Sequence, residues 1–192
     1  MMKKIAAVMI SLLISASSAP LLTAPFLNGG MFYHAGYGDV RSPFGDISGL
    51  SAGLGGRLAF SVLPWLRAGG MGFASGFDYN GPGLPGSYCS IGAGGATVEA
   101  FTAFGPVVCS IGMLAGGGTI RQLHIISNQS AGVSTVSYTS TGTFIAVPFC
   151  IIEMPVTPAF SIAVMADWLF GTRIISGSSY GPRVHLGILF NR

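Results

Sequence analysis

Residues 160–170 read FSIAVMADWLF, and their alternation restricts the fold more than any other feature of the chain. Phe160, Ile162, Val164, Ala166, Trp168 and Phe170 share one parity, while Ser161, Ala163, Met165, Asp167 and Leu169 share the other. A strand sends successive side chains to opposite faces, whereas a helix would scatter both sets around its axis. RVHLGILFN repeats the pattern, with Val184, Leu186, Ile188 and Phe190 facing away from Arg183, His185, Gly187, Leu189 and Asn191. In LGGRLAFSVL the apolar row is Leu54, Gly56, Leu58, Phe60 and Val62, opposite Gly55, Arg57, Ala59, Ser61 and Leu63. Pro64 follows, and a second run from Leu66 to Gly76 returns. Proline donates nothing to a ladder, so it belongs in the turn of a hairpin. In each strand the charges sit on one face and an unbroken apolar row on the other, as hydrocarbon outside and a mixed interior require.

Composition agrees. Only 8% of the 192 residues are charged and 50% are hydrophobic, against about 25% charged in ordinary soluble domains. Residues 100–120 carry no charge and would span a bilayer as a helix, so a helical integral membrane protein is the competing reading. Gly105-Pro106 and Gly116-Gly117-Gly118 interrupt that stretch twice, and glycine and proline both penalise helix interiors. The net charge is +3, and Lys3-Lys4 is the only basic run. Nucleic acid therefore has no electrostatic footprint to meet. The start, MMKKIAAVMISLLISASSA, has a basic opening, a short apolar core and a small-residue end. Residues 1–18 read as a secretory signal peptide, leaving 19–192 as a single domain.

Period-two runs predict strands at 28–40, 49–62, 65–77, 88–101, 106–124, 141–154, 158–170 and 181–191. The count is even, and the connections alternate in length. Those at Leu63-Pro64, 102–106 and 155–157 are short, while RSPFGDIS, DYNGPGLPGSY, IISNQSAGVSTVSYTS and GTRIISGSSY are longer. The alternation in IISNQSAGVSTVSYTS also allows a ribbon that rises beyond the membrane and binds a partner by edge pairing, with a plain polar loop the preferred reading. Phe60, Trp65, Phe101, Phe104, Phe149, Phe160 and Phe190 gather at the short-turn end. Tyr37, Tyr79, Tyr88, Tyr138 and Tyr180 gather at the other end. Two aromatic girdles are what two membrane interfaces select. The fold class predicted is all-β: an eight-stranded antiparallel transmembrane β-barrel in the cell outer membrane, with short periplasmic turns and longer extracellular loops.

The blocks GGRLAF, WLRAGG, GGATVEAF and the ending GPRVHLGILFNR resemble small eight-stranded outer-membrane β-barrel proteins of diderm bacteria. The resemblance covers residues 28–192. The terminal strand resembles the assembly signal of such barrels, with His185 as the polar residue, Gly187 as the glycine and Phe190 as the aromatic. The chain then ends Asn191-Arg192, where the family pattern expects a final aromatic. The resemblance implies two partners, the barrel-assembly machinery and outer-membrane lipid. It brings no known activity with it.

Small barrels include lipid-modifying enzymes, so catalytic groups must be sought. The histidines are His34, His124 and His185. Among them His124, three residues from Ser127, is the least implausible participant in a lipid-acyl hydrolase, but no motif holds a Ser/His/acid set together. No phosphate loop or metal-ligand spacing is present, and no cofactor or metal is expected. Eight strands leave room for side chains and little else. The function predicted is a structural or surface-interaction barrel without turnover, its surface ligand unspecified. A lipid hydrolase and a narrow pore are the alternatives. Counting across the hairpins sets Asp167 opposite Arg183, with His185 one step inward, and Arg67 opposite Glu99. Arg57 is on the inward parity nearby. These six residues are predicted to fill the lumen as a charge network, although the two faces of residues 88–101 are so alike that an outward Glu99 stays open. Cys109 and Cys150, on neighbouring strands a few residues from the periplasmic end, are expected to face each other across the ladder as free thiols, with Cys89 unpaired.

Overall fold

The computed structural model describes residues 26–42, 45–79, 86–128, 133–172 and 178–192. The expected signal peptide lies outside them. The strands are β1 (Leu27–Ser42), β2 (Gly45–Leu63), β3 (Leu66–Asp78), β4 (Tyr88–Phe104), β5 (Val107–Asn128), β6 (Val133–Pro155), β7 (Phe160–Trp168), β8 (Phe170–Thr172) and β9 (Ser178–Asn191). β1 to β7 pair antiparallel in chain order, β8 pairs with β6, β7 pairs with β9, and β9 pairs with β1, so the sheet closes on itself. β7 and β8 form one stave, which makes eight. The described residues contain no helix long and apolar enough to cross a membrane; the helical reading is overturned by the continuous strand ladder.

The break between β7 and β8 has a local cause. β6 pairs Phe149 with Asp167 and, in the same register, Ala146 with Phe170, which sets Pro148 opposite Trp168. On the other side Trp168 faces Pro182. Two prolines flank the stave at one height, and neither can donate to a ladder. The strand breaks at Leu169, whose amide still donates to the Gly181 carbonyl at 3.4 Å, and resumes one residue later.

Alternation holds around the ring. Leu54, Leu58, Ile162, Val164, Leu186 and Ile188 are exposed outward, while Phe32, Leu114, Ile145, Val147, Met165 and Leu189 are buried inside. An exterior of this kind dissolves in hydrocarbon rather than water. At the β2–β3 turn a register shift after Ser61 takes Leu63 off the inward row, and it is exposed.

Two expectations need correction. Phe101, Phe149 and Tyr79 are buried in the lumen, so they belong to no outward girdle; Phe60, Trp65, Phe104, Phe160, Phe190, Tyr37, Tyr88 and Tyr138 are exposed. The side chain of Tyr180 lies outside the described residues. Second, 125–128 and 133–140 are strand, where a plain loop is the preferred reading of the sequence. β5 and β6 pair without a break from Val108–Glu153 to Asn128–Val133, whereas β4 leaves β5 at Leu123 and β8 leaves β6 at Phe144. The two longest strands therefore rise past their described neighbours as a ribbon. At the β1–β2 connection, too, strand replaces most of the expected loop, since β1 reaches Ser42 and β2 begins at Gly45.

Candidate functional site

Interior glycines make room for the large side chains of the lumen. A β-carbon on Gly53 would lie 2.8 Å from Nε2 of His34, one on Gly36 2.6 Å from Cγ of Arg183, and one on Gly187 2.5 Å from the Phe32 ring. A narrow barrel can hold an aromatic, an imidazole or a guanidinium where the facing stave offers no side chain.

Two polar layers result. The first lies toward the short-turn end. Arg57 grips Glu99 with both terminal nitrogens, Nη2 to Oε1 at 2.6 Å and Nη1 to Oε2 at 3.0 Å. Arg67 donates to Glu153 at 2.9 Å and reaches Glu99 at 3.4 Å, with its guanidinium 4.2 Å above the Phe101 ring. Asn28 links the layer to the closing strand. It accepts from Arg57 at 2.8 Å and donates to Glu153 at 3.2 Å and Asn191 at 2.8 Å. Asn191 in turn donates to Ser161 at 2.7 Å. Two guanidinium and two carboxylate groups balance, which is the condition for burying charge at tolerable cost.

The second layer lies farther along the barrel, past Leu189 and Met165. Asp167 and Arg183 are cross-strand partners joined by two hydrogen bonds, at 2.8 and 2.7 Å. Arg183 covers the Phe73 ring at 3.9 Å. Nε2 of His185 lies 2.9 Å from Asp167. His34, directly across the β1–β9 ladder from His185, places its ring 4.9 Å away, centroid to centroid. Beyond this layer a cavity of about 20 Å³, lined by Ser75, Cys89 and Arg183 among others, has space for about one water.

Of the residues singled out from sequence, Arg57, Arg67 and Glu99 meet in the first layer and Asp167, Arg183 and His185 in the second. Glu99 faces inward, only 2% exposed. Sequence reasoning missed Glu153, Asn28 and His34. Glu153 follows IAVPFCII, a run apolar on both parities, so its inward face has no pattern to reveal it. Only ring closure brings it to Arg67, three staves away.

In the terminal strand His185 and Gly187 face inward and Phe190 is exposed outward. His124 is buried, with Nδ1 3.1 Å from the Tyr79 hydroxyl; the Ser127 side chain lies outside the described residues. The cysteines correct one expectation. Cys109 pairs with Ile152 and Cys150 with Ile111. The two are thus diagonal, not facing, and a diagonal of about 7–8 Å exceeds disulfide reach. All three cysteines are free thiols.

A closed ring of eight antiparallel staves around a packed lumen is the architecture of small outer-membrane β-barrels. Neisserial surface protein A shares it, with a TM-score of 0.54 and 12% identity over 86% of this chain and 96% of that one. Ail, the attachment invasion locus protein of Yersinia pestis, shares it with a TM-score of 0.51 and 10% identity over 88% and 99%. Both are eight-stranded outer-membrane barrels. No protein-family model and no curated protein matches the sequence. The likeness is one of fold.

Proposed function

We propose that this chain is a non-catalytic surface-interaction barrel of the outer membrane, with its lumen plugged by charge pairs and its β5–β6 ribbon presented outside the cell. The carrying observation is the contrast between a filled interior and the ribbon above it. Two balanced polar layers and the apolar side chains between them occupy the lumen, so transport has no path. Described positions from Gln122 to Thr143 include no Asp, Glu, Lys or Arg, and Val136 and Tyr138 stand exposed. An uncharged edge rich in hydroxyl and β-branched residues is suited to pairing with an extended segment of another protein. The two similar structures, a neisserial surface protein and an attachment invasion locus protein, support this reading. The apolar exterior supports an outer-membrane location with the short turns toward the periplasm, and insertion would draw on His185, Gly187 and Phe190 as the signal read by the assembly machinery.

Two measurements test the proposal. Planar bilayers containing the purified barrel should stay silent at neutral pH; steady conductance refutes the plug. Bacteria displaying the barrel should adhere to an epithelial monolayer, and replacing 125–141 by a short turn should abolish the gain without loss of surface display. Equal adherence of both removes the ribbon from the function.

A further inference from the structure

The outer wall of the barrel is bare on one side. Outward positions on β3, β4 and β5 include Gly72, Ala74, Gly76, Gly92, Gly94 and Gly117. They leave a groove of about 450 Å³, with Ala52, Ala74, Gly76 and Gly92 along it and Ser90, Thr119 and Arg121 at one side. Small-molecule sites span about 300–1,000 Å³. A β-carbon on Gly92 would meet nothing within 4 Å. Toward the short-turn end the bare wall continues over the pairs Gly94–Gly117 and Ala96–Ala115. Arg121 is exposed on this outward face, and no ion pair among the described residues involves it. Asp78, at the rim of β3, is two staves away. Ser90 and Ser140 are the cross-strand neighbours of Arg121. Two residues nearer the ribbon, Leu123 pairs with Tyr88 and Tyr138, both exposed outward. Outward tyrosines mark a membrane interface, so Arg121 lies at headgroup depth on the ribbon side.

We infer that this groove holds one phosphorylated membrane lipid, its phosphate against Arg121 and an acyl chain along the bare wall below. The inference rests on the outer-membrane reading, which turns this wall toward lipid, and not on the ribbon. A guanidinium offers paired planar donors that match phosphate oxygens, and the hydroxyls of Ser90 and Ser140 on either side can add further donors. An arginine on the lipid face is tolerated near an interface, where headgroups meet it, and is costly at mid-membrane. Below it, glycine and alanine let a hydrocarbon chain lie closer to the backbone than leucine or phenylalanine would, gaining dispersion contacts. A second copy of the barrel is the poorer occupant. A two-fold contact puts the same patch on both partners, and centred on this groove it would bring Arg121 toward its own counterpart.

Native mass spectrometry of the folded barrel in a non-ionic detergent tests the site. The probe is dimyristoyl phosphatidic acid, compared with dimyristoyl glycerol, which lacks the phosphate, and with inorganic phosphate, which lacks the chains. One phosphatidic acid should bind per barrel, about tenfold or more tighter than either control. Arg121→Gln removes the charge, and Gly92→Leu fills the groove while leaving Arg121 in place. Each should weaken binding by about tenfold, the effect of losing one charge-assisted contact or its equivalent. Leu186→Ala, four staves away, should leave it unchanged, and circular dichroism checks that every variant folds. Equal affinity for the glycerol lipid or for inorganic phosphate overturns the inference, as does binding that neither Arg121→Gln nor Gly92→Leu weakens. Barrel dimers that Gly92→Leu abolishes assign the wall to a second copy and overturn it too. Selective lipid binding by a barrel that confers no adherence leaves this site standing and removes the ribbon; adherence without selectivity does the reverse.

Discussion

At the scale of single residues, the lumen turns the usual meaning of a conservative change around. Glu153 is isosteric with glutamine, yet Glu153→Gln leaves Arg57 and Arg67 sharing one carboxylate. Breaking a buried pair from one side costs about 3–5 kcal/mol, so urea unfolding in vesicles should show a loss of that order. Arg67→Met combined with Glu153→Leu removes both charges and should recover most of it. Glycines divide the same way. Gly187→Ala presses a methyl against the Met31 carbonyl oxygen and the Phe32 ring and should cost about 1–3 kcal/mol as overpacking. Gly92→Ala meets nothing within 4 Å and should change the unfolding midpoint by less than about 0.5 kcal/mol. Gly187 and Gly92 are equally glycine in the sequence; what each faces separates them.

At the scale of elements, register decides what a strand can do. Cys109 and Cys150 looked like neighbours because their strands are neighbours, but the ladder sets them two residues apart. Mass spectrometry without reductant should find both thiols alkylatable. Ile111→Cys in a Cys109→Ser background places a thiol directly across from Cys150, and mild oxidation should link that pair. The β5–β6 ribbon is a second case. Hydroxyl-rich IISNQSAGVSTVSYTS carries the composition of a loop and the alternation of a strand pair, and the pairing of β5 with β6 beyond Leu123 and Phe144 decides for the ribbon. At the base of the ribbon, Ser87 accepts the Ile125 amide at 3.0 Å, which closes the β5 edge there with a side chain instead of a strand.

At the scale of the whole molecule, the barrel is an inside-out protein with an apolar surface and a core that carries charge. Leu186 lies outward near mid-stave, paired with Val164 on β7 and Tyr33 on β1. Leu186→Arg should cost about 2–4 kcal/mol in a bilayer, measured by vesicle unfolding against wild type. An arginine tolerated there without loss would place this face away from lipid. Circular dichroism of the detergent-solubilised protein should be strand-dominated.

What the sequence determined by itself is whatever depends on neighbours along the chain or across one hairpin. Period two made the strands, Pro64 and Gly105-Pro106 made turns, and counting across a turn set Arg67 opposite Glu99 and Asp167 opposite Arg183. Faces were legible wherever one parity was apolar and the other mixed, as in β2, β7 and β9. They were not legible in β4 and β6, where both parities are small or apolar. Only the tertiary structure joined Arg67 to Glu153, or Asn28 to both Arg57 and Glu153. Those residues lie on staves that meet through the lumen, and a lumen exists only after the last strand has closed on the first. The same closure set His34 beside His185, 151 positions apart in the chain but paired across β1 and β9. Chain-local periodicity carries direction, inward or outward; which inward residues meet is set by the shear and closure of the ring.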